Sequence, residues 1–126
     1  MSLPRILVIG QDPDTVDFTN PALAGLNADI IKAGIKIGES LMAQAGFTAD
    51  HVLTDTGPNA AALVTAALAQ QDYGIIIIGA GIRLQPPASR LFETVLNTII
   101  THAPKAKVGF NQTPQDTVEA VKRLLV

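Results

Sequence analysis

Apolar positions along the chain fall into two alternating kinds of run. Four short blocks rich in branched residues read as strands: Arg5–Gly10 (RILVIG), His51–Thr54 (HVLT), Gly74–Gly79 (GIIIIG) and Ala106–Phe110 (AKVGF). The first and third are continuous rather than alternating. That pattern suits central strands of a parallel sheet, where both faces are covered. The second and fourth are shorter and more mixed, as edge strands are.

Between these blocks the apolar spacing changes to the period of a helix. Asn27 is placed to cap Ala28–Ala45 and Gly46 to end it. Ile30, Ile31, Leu41 and Met42 recur at helical spacing there, and Gly34 and Gly38 predict a close approach of this helix to the sheet. "TGPNAAALVTAALAQ" puts Pro58 near a first turn and Leu63, Val64, Ala67 and Leu68 on one face. "PPASRLFETVLNTIITHAP" carries a stripe from Leu91 and Phe92 to Ile99 and Ile100, stopped by Pro104. "TPQDTVEAVKRLLV" opens with Thr113 as cap, Pro114 at the first helical position and Asp116 in the first turn.

The order βαβαβαβα predicts a single Rossmann-like α/β domain over residues 1–126. Its architecture is a three-layer α/β/α sandwich, with a four-stranded parallel sheet in the order 2-1-3-4. In such a sheet ligands bind beyond the carboxyl ends of the strands, where the strand order reverses. Here that crevice lies between the first and third strands, lined by "GQDPDTVDFTNP" and "GAGIRLQPP". Helices that start at this edge favour an anion. The connection Gln11–Leu26 is long, about sixteen residues without periodicity, and such loops serve function or wrap a partner.

Candidate chemistry is therefore sought at that edge. Gly79-x-Gly81 after a strand resembles the start of a dinucleotide fingerprint, but Leu84 stands where a third small residue is needed. Gln85-Pro86-Pro87 delays the helix, and no acidic residue ends the next strand. The glycines instead suit a turn with positive φ and close backbone approach. Arg83 offers paired bonds to a carboxylate or phosphate, or a structural salt bridge to Asp12 or Asp14. Asp12, Asp14 and Asp17 offer oxygen ligands to a divalent cation, or ordinary turn bonds. Asn111 and Thr113 follow the fourth strand and Asp55 and Thr56 the second; each admits a ligand-binding role or a capping role.

The candidate ligand-binding set is thus Gly79, Gly81, Arg83, Asp12, Asp14 and Asn111, for an anionic small molecule bearing phosphate or carboxylate. Two other readings stand beside it. One is a non-catalytic homo-oligomeric interaction module without a ligand. The other is a divalent-metal-dependent enzyme using the Asp12-Asp14-Asp17 loop. No catalytic residue and no cofactor follows from the motifs. There is no Walker loop, no G-x-S-x-G elbow around Ser40 or Ser89, and no Asp ending the third strand to accept a phosphoryl group. His51 and His102 read as structural or surface groups.

Composition narrows the partners. Net charge is -2 at pH 7 with scattered Lys and Arg, which argues against nucleic acid. The absence of cysteine removes disulfides and thiolate chemistry and fits a cytoplasmic location. The apolar runs fall far short of the roughly 20 residues that span a bilayer, and no signal pattern opens the chain, so a soluble, unexported protein is expected. Apolar residues make up 48% of the chain and charged ones 16%, a thin polar coat. With only Lys107 guarding the fourth strand, this predicts a homo-oligomer, most simply a two-fold dimer.

The pairing of "IIIIGAGIRL" with "HAPKAKVGFNQTPQDTVEAVKRLL" resembles a family of small bacterial Rossmann-like proteins of unassigned function. The resemblance implies a cytoplasmic α/β domain and supplies no catalytic residues.

Overall fold

Hydrogen-bonded strand formation follows the branched runs closely. The computed structural model describes residues 3–55, 57, 59–83 and 88–125. Strands β1 (Ile6–Gln11), β2 (Ala49–Thr54), β3 (Ile75–Ile78) and β4 (Lys107–Phe110) form one sheet. All pairings are parallel and the order is β2-β1-β3-β4, as predicted. β2 begins two residues earlier than its sequence suggested, because Ala49 and Asp50 pair with Ile6 and Leu7.

Helix α1 (Ala28–Gln44) starts at Asn27, whose Oδ1 accepts from Ile30 N at 2.9 Å, and ends at Gly46, with φ of 86°. Helices α2 (Ala60–Gln70), α4 (Ala88–His102) and α5 (Thr117–Leu124) follow their strands, and a single helical turn, α3 (Ala80–Arg83), follows β3. The expected start of α2 at Pro58 lies outside the described residues, as do Thr56 and Leu84–Pro87. Within them, Asp55 accepts from Gly57 N at 3.1 Å and from Asn59 N at 3.3 Å just ahead of α2. The segment from Thr113 forms a 3-10 turn, Pro114–Asp116, before α5 begins.

The continuous strands are buried on both faces, which accounts for their lack of alternation. Leu7, Ile9, Ile76 and Ile78 pack with Val64 of α2 and with Leu91, Val95 and Ile99 of α4. Ile6, Val8, Ile75 and Ile77 pack on the opposite face with Met42 of α1, Phe47, and Ala120 and Val121 of α5. The fold is a Rossmann-like α/β/α sandwich. Among the described residues, no helix is long and apolar enough to cross a membrane.

At the amino edge, Asp50 accepts from Arg5 Nε at 3.0 Å and from the Tyr73 hydroxyl at 2.6 Å. Burial and this bond push the Tyr73 hydroxyl pKa up to about 12, while Arg5 and Tyr73 hold the Asp50 carboxyl below its usual range. At the other end of β2, Thr54 is fully buried and its Oγ1 has no hydrogen-bond partner among the described residues. An unpaired buried hydroxyl costs about 1–3 kcal/mol. Thr54→Val keeps the shape and removes that cost, so it should raise unfolding stability by about 1 kcal/mol in urea. A lowered midpoint would show that the hydroxyl is bonded in solution.

Candidate functional site

The site originates in how α1 docks. The glycines of α1 do not seat it on the sheet, as the sequence suggested, but on the turn after β4. A Cβ on Gly34 would lie 3.1 Å from Gln115 Nε2, and one on Gly38 would overlap the Pro114 carbonyl oxygen. Drawn toward that turn, α1 buries only Gly34, Gly38 and Met42. Ile30, Ile37 and Leu41, on the same helix, stay 47%, 49% and 37% exposed, so Ile30 and Leu41, which recur at helical spacing with Met42, are not buried with it. The edge strand β2 is left half-covered on this side, with Leu53 40% exposed.

The result is a pocket of about 580 Å³ at the carboxyl edge of the sheet, reaching from between α1 and β2 across β1 to the turns after β3 and β4. That size is typical of small-molecule sites, which run to about 300–1,000 Å³. Val8, Ile31, Ile35 and Leu53 form its floor and wall. Val16, Leu23 and Leu26 close it from above, which gives the long connection after β1 a place in the site. Two 3-10 turns, Pro13–Thr15 and Pro21–Leu23, organise that connection, and Gly25, at φ 84°, joins it to α1.

Polar groups gather where β1, β3 and β4 end. Gln11 donates its Nε2 to Thr15 O at 3.3 Å and Thr15 Oγ1 at 3.2 Å. Gly79 approaches β1 closely: its N donates to Ile9 O at 2.7 Å, and a Cβ would lie 3.1 Å from that oxygen. The close approach expected of this glycine is therefore present. The expected positive φ is not, since among the described residues only Gly25 and Gly46 have one. A single helical turn, α3, begins directly at Ala80, and the long helix α4 is delayed to Ala88, as expected.

Asn111 is 4% exposed and acts as a clasp. Its Oδ1 accepts from Ala80 N at 3.2 Å and its Nδ2 donates to Thr117 Oγ1 at 3.0 Å, tying the β3 turn to α5. Nearby, Asp116 accepts from Gln112 N at 3.0 Å and from Thr113 N at 3.4 Å. The N–H groups after β4 are thus met by a carboxylate of the chain itself.

Of the candidate residues, Gly79, Gly81 and Asn111 share the pocket wall, whereas Arg83, Asp12 and Asp14 do not line it. Arg83 makes no salt bridge to Asp12 or Asp14. Its Nε donates to Ile78 O at 3.3 Å, a terminal nitrogen donates to Asn111 O, and the guanidinium lies 4.9 Å from the centre of the Phe110 ring. Burial lowers its pKa, against an opposing effect of Asp116. Asp14 pairs instead with Lys32 of α1 at 2.9 Å, while Asp12 accepts from Asp14 N at 3.0 Å and Asp17 from Thr19 N at 3.0 Å. The three carboxylates therefore engage separate local partners. Among the described residues, no group of three or more His, Asp or Glu is arranged to hold a metal ion.

His51 is the pocket residue that sequence reasoning missed. It is not at the start of its strand but pairs with Val8, and period-two alternation puts it on the same face of β2 as Leu53. Burial lowers its pKa, with Glu39 and then Asp50 opposing, so the neutral ring is favoured in the fold. A lowered folded pKa means that the stability it contributes is complete above the unfolded value, about 6.5. It is lost as pH falls through the folded value. Wild type should therefore lose stability just below pH 6.5, before the carboxylates begin to titrate, and His51→Gln should flatten that limb. Melting temperature against pH checks this, and parallel curves for the two proteins would refute it.

The fold is that of a Rossmann-like α/β protein, and a concave, largely apolar pocket lies at the carboxyl edge of its sheet. The chain matches no known protein family model and no curated protein sequence.

Proposed function

We propose that this protein binds a small molecule at the carboxyl edge of the sheet between β1 and β3, and that the ligand carries an anionic head, carboxylate or phosphate. The observation that carries the reading is the pocket of about 580 Å³ at the place where strand order reverses. The head is received at Gly79–Gly81, where the backbone turns beside Gln11 and where Arg83, behind the turn, adds positive potential. No charged side chain among the described residues lines the pocket, which favours a singly charged carboxylate over a phosphate.

A thermal-shift panel of carboxylates, sugar phosphates and nucleotides tests this. A bound compound at about 100 times its Kd adds about 2.7 kcal/mol of stability. Gly81→Leu, whose side chain would grow toward Gln11, should abolish the shift. A panel without a hit, or a hit that survives this substitution, rejects the site.

A second reading is self-association, as a non-catalytic module. It is supported by exposed apolar groups toward the β4 edge: Ile100 of α4 is 57% exposed, Phe110 of β4 40% and Leu125, just after α5, 41%. Light scattering should then give twice the 13.2 kDa of one chain. We also propose that the chain belongs to the small bacterial Rossmann-like family, on the strength of the quoted segments, and that it is cytoplasmic, which its lack of cysteine supports.

A further inference from the structure

We propose that the ligand is an aliphatic carboxylate, a branched or medium-length hydrocarbon with one compact head, and not a nucleotide. This rests on the small-molecule reading above and specifies its chemistry.

The walls carry the first part of the inference. Among the described residues lining the pocket there is no Asp, Glu, Lys or Arg, and no Phe, Tyr or Trp. A nucleotide calls for a flat face against its base and charge or a free amide cradle against its phosphates. The lining offers branched aliphatic groups instead, Val8, Val16, Ile31, Ile35 and Leu53 among them. Such walls fit a flexible hydrocarbon, which needs dispersion contact and removal from water but no oriented partner.

The rim carries the second part. Leu26, Ile30 and Leu53 all line the pocket, yet are 41%, 47% and 40% exposed. Three large aliphatic side chains around one concavity leave apolar surface in water that a hydrocarbon would cover.

The third part comes from the amides of the carboxyl edge, most of which are already occupied. Asp12 takes Asp14 N after β1, Asp55 takes Gly57 N and Asn59 N after β2, and Asp116 takes Gln112 N and Thr113 N after β4. These carboxylates repel a multiply charged phosphate chain laid along the edge. Gly79 N is likewise held by Ile9 O and Ala80 N by Asn111 Oδ1, so the edge has room for one small head at most, beside Gly81 and Gln11, with the hydrocarbon running under α1 toward His51 and Leu53 of β2. His51, held toward its neutral form by burial, closes that far end without adding charge.

Isothermal titration with hexanoate, octanoate, decanoate and adenosine monophosphate tests the proposal, using wild type, Leu53→Trp and Leu63→Trp. Leu53→Trp fills the pocket from its rim. Leu63 is similarly exposed but lies on α2, which packs on the opposite face of the sheet, so Leu63→Trp controls for surface substitution. Affinity should rise about fourfold per methylene from hexanoate to octanoate. It should be lost in Leu53→Trp and kept in Leu63→Trp, with no heat from adenosine monophosphate. Nucleotide binding that Leu53→Trp abolishes, without binding of the fatty acids, keeps the site and overturns the aliphatic assignment. Silence from every probe overturns both. Fatty-acid binding indifferent to chain length, or unchanged in Leu53→Trp, places the molecule elsewhere and overturns the proposal.

Discussion

Asn111→Leu should destabilise the protein by about 1–3 kcal/mol, because it strips two elements of a buried polar partner at once. The amide accepts from Ala80 N and donates to Thr117 Oγ1, and the residue is 4% exposed. Leucine fills a similar volume but satisfies neither group. Thr117 Oγ1 keeps its bond to the Pro114 carbonyl, and Ala80 N lies half-buried on the pocket wall, so each vacated group costs part of its desolvation penalty. The Arg83 bond to the Asn111 carbonyl survives, since it is made to the backbone. The loss should therefore concentrate in the turn at Ala80, and any ligand bound beside Gly79–Gly81 should weaken with it. Urea denaturation gives the first quantity. A loss below about 0.5 kcal/mol, the size of an ordinary surface substitution, would mean that Asn111 is not the clasp described.

Gly38→Ala is the second substitution with a large expected effect, and its sign is decided by two opposing magnitudes. In an exposed helix interior, alanine is better than glycine by about 1 kcal/mol. Here the new methyl would overlap the Pro114 carbonyl oxygen, a backbone atom in a turn held by Asp116 bonds. Overpacking of that kind costs about 1–3 kcal/mol, and a backbone group cannot swing aside as a side chain end can. The net expectation is a loss of up to about 2 kcal/mol, together with a shift of α1 that reshapes the pocket. An increase in stability would falsify the close docking of α1 on this turn. Gly34→Ala is the informative comparison. Its methyl would meet the side chain of the exposed Gln115, which can move, so its cost should be small or negative.

The candidate site was legible in part. Gly79 and Gly81 were found because a glycine pair directly after a buried strand is a local signal, and the strand-order rule places that turn at the crevice. Asn111 was found for the same reason, although its amide serves the protein's own turns. The role of Arg83 was not legible. A cation after a central strand can reach several acceptors, and only the folded chain shows that Ile78 O and Asn111 O hold it while Phe110 lies beneath. The pairing of Asp14 with Lys32 was not legible, because the two lie eighteen positions apart, a separation no local pattern encodes. The place of His51 in the pocket was not legible, because its pairing with Val8 beneath α1 is a register between segments more than forty residues apart.

By itself the sequence determined the order of elements, the two central strands, the boundaries of α1 and the position of the crevice. These follow from runs, periods and caps, which act within a few residues and are written directly in the chain. Tertiary structure alone decided that α1 leans on Pro114 and Gln115, that β2 is thereby left half-covered, and that an aliphatic pocket opens between them. The physical reason is that a periodic pattern specifies which face of a helix or strand is apolar. Which neighbour covers that face depends on close contacts between segments far apart in sequence, here a glycine of α1 against a carbonyl more than seventy residues further on.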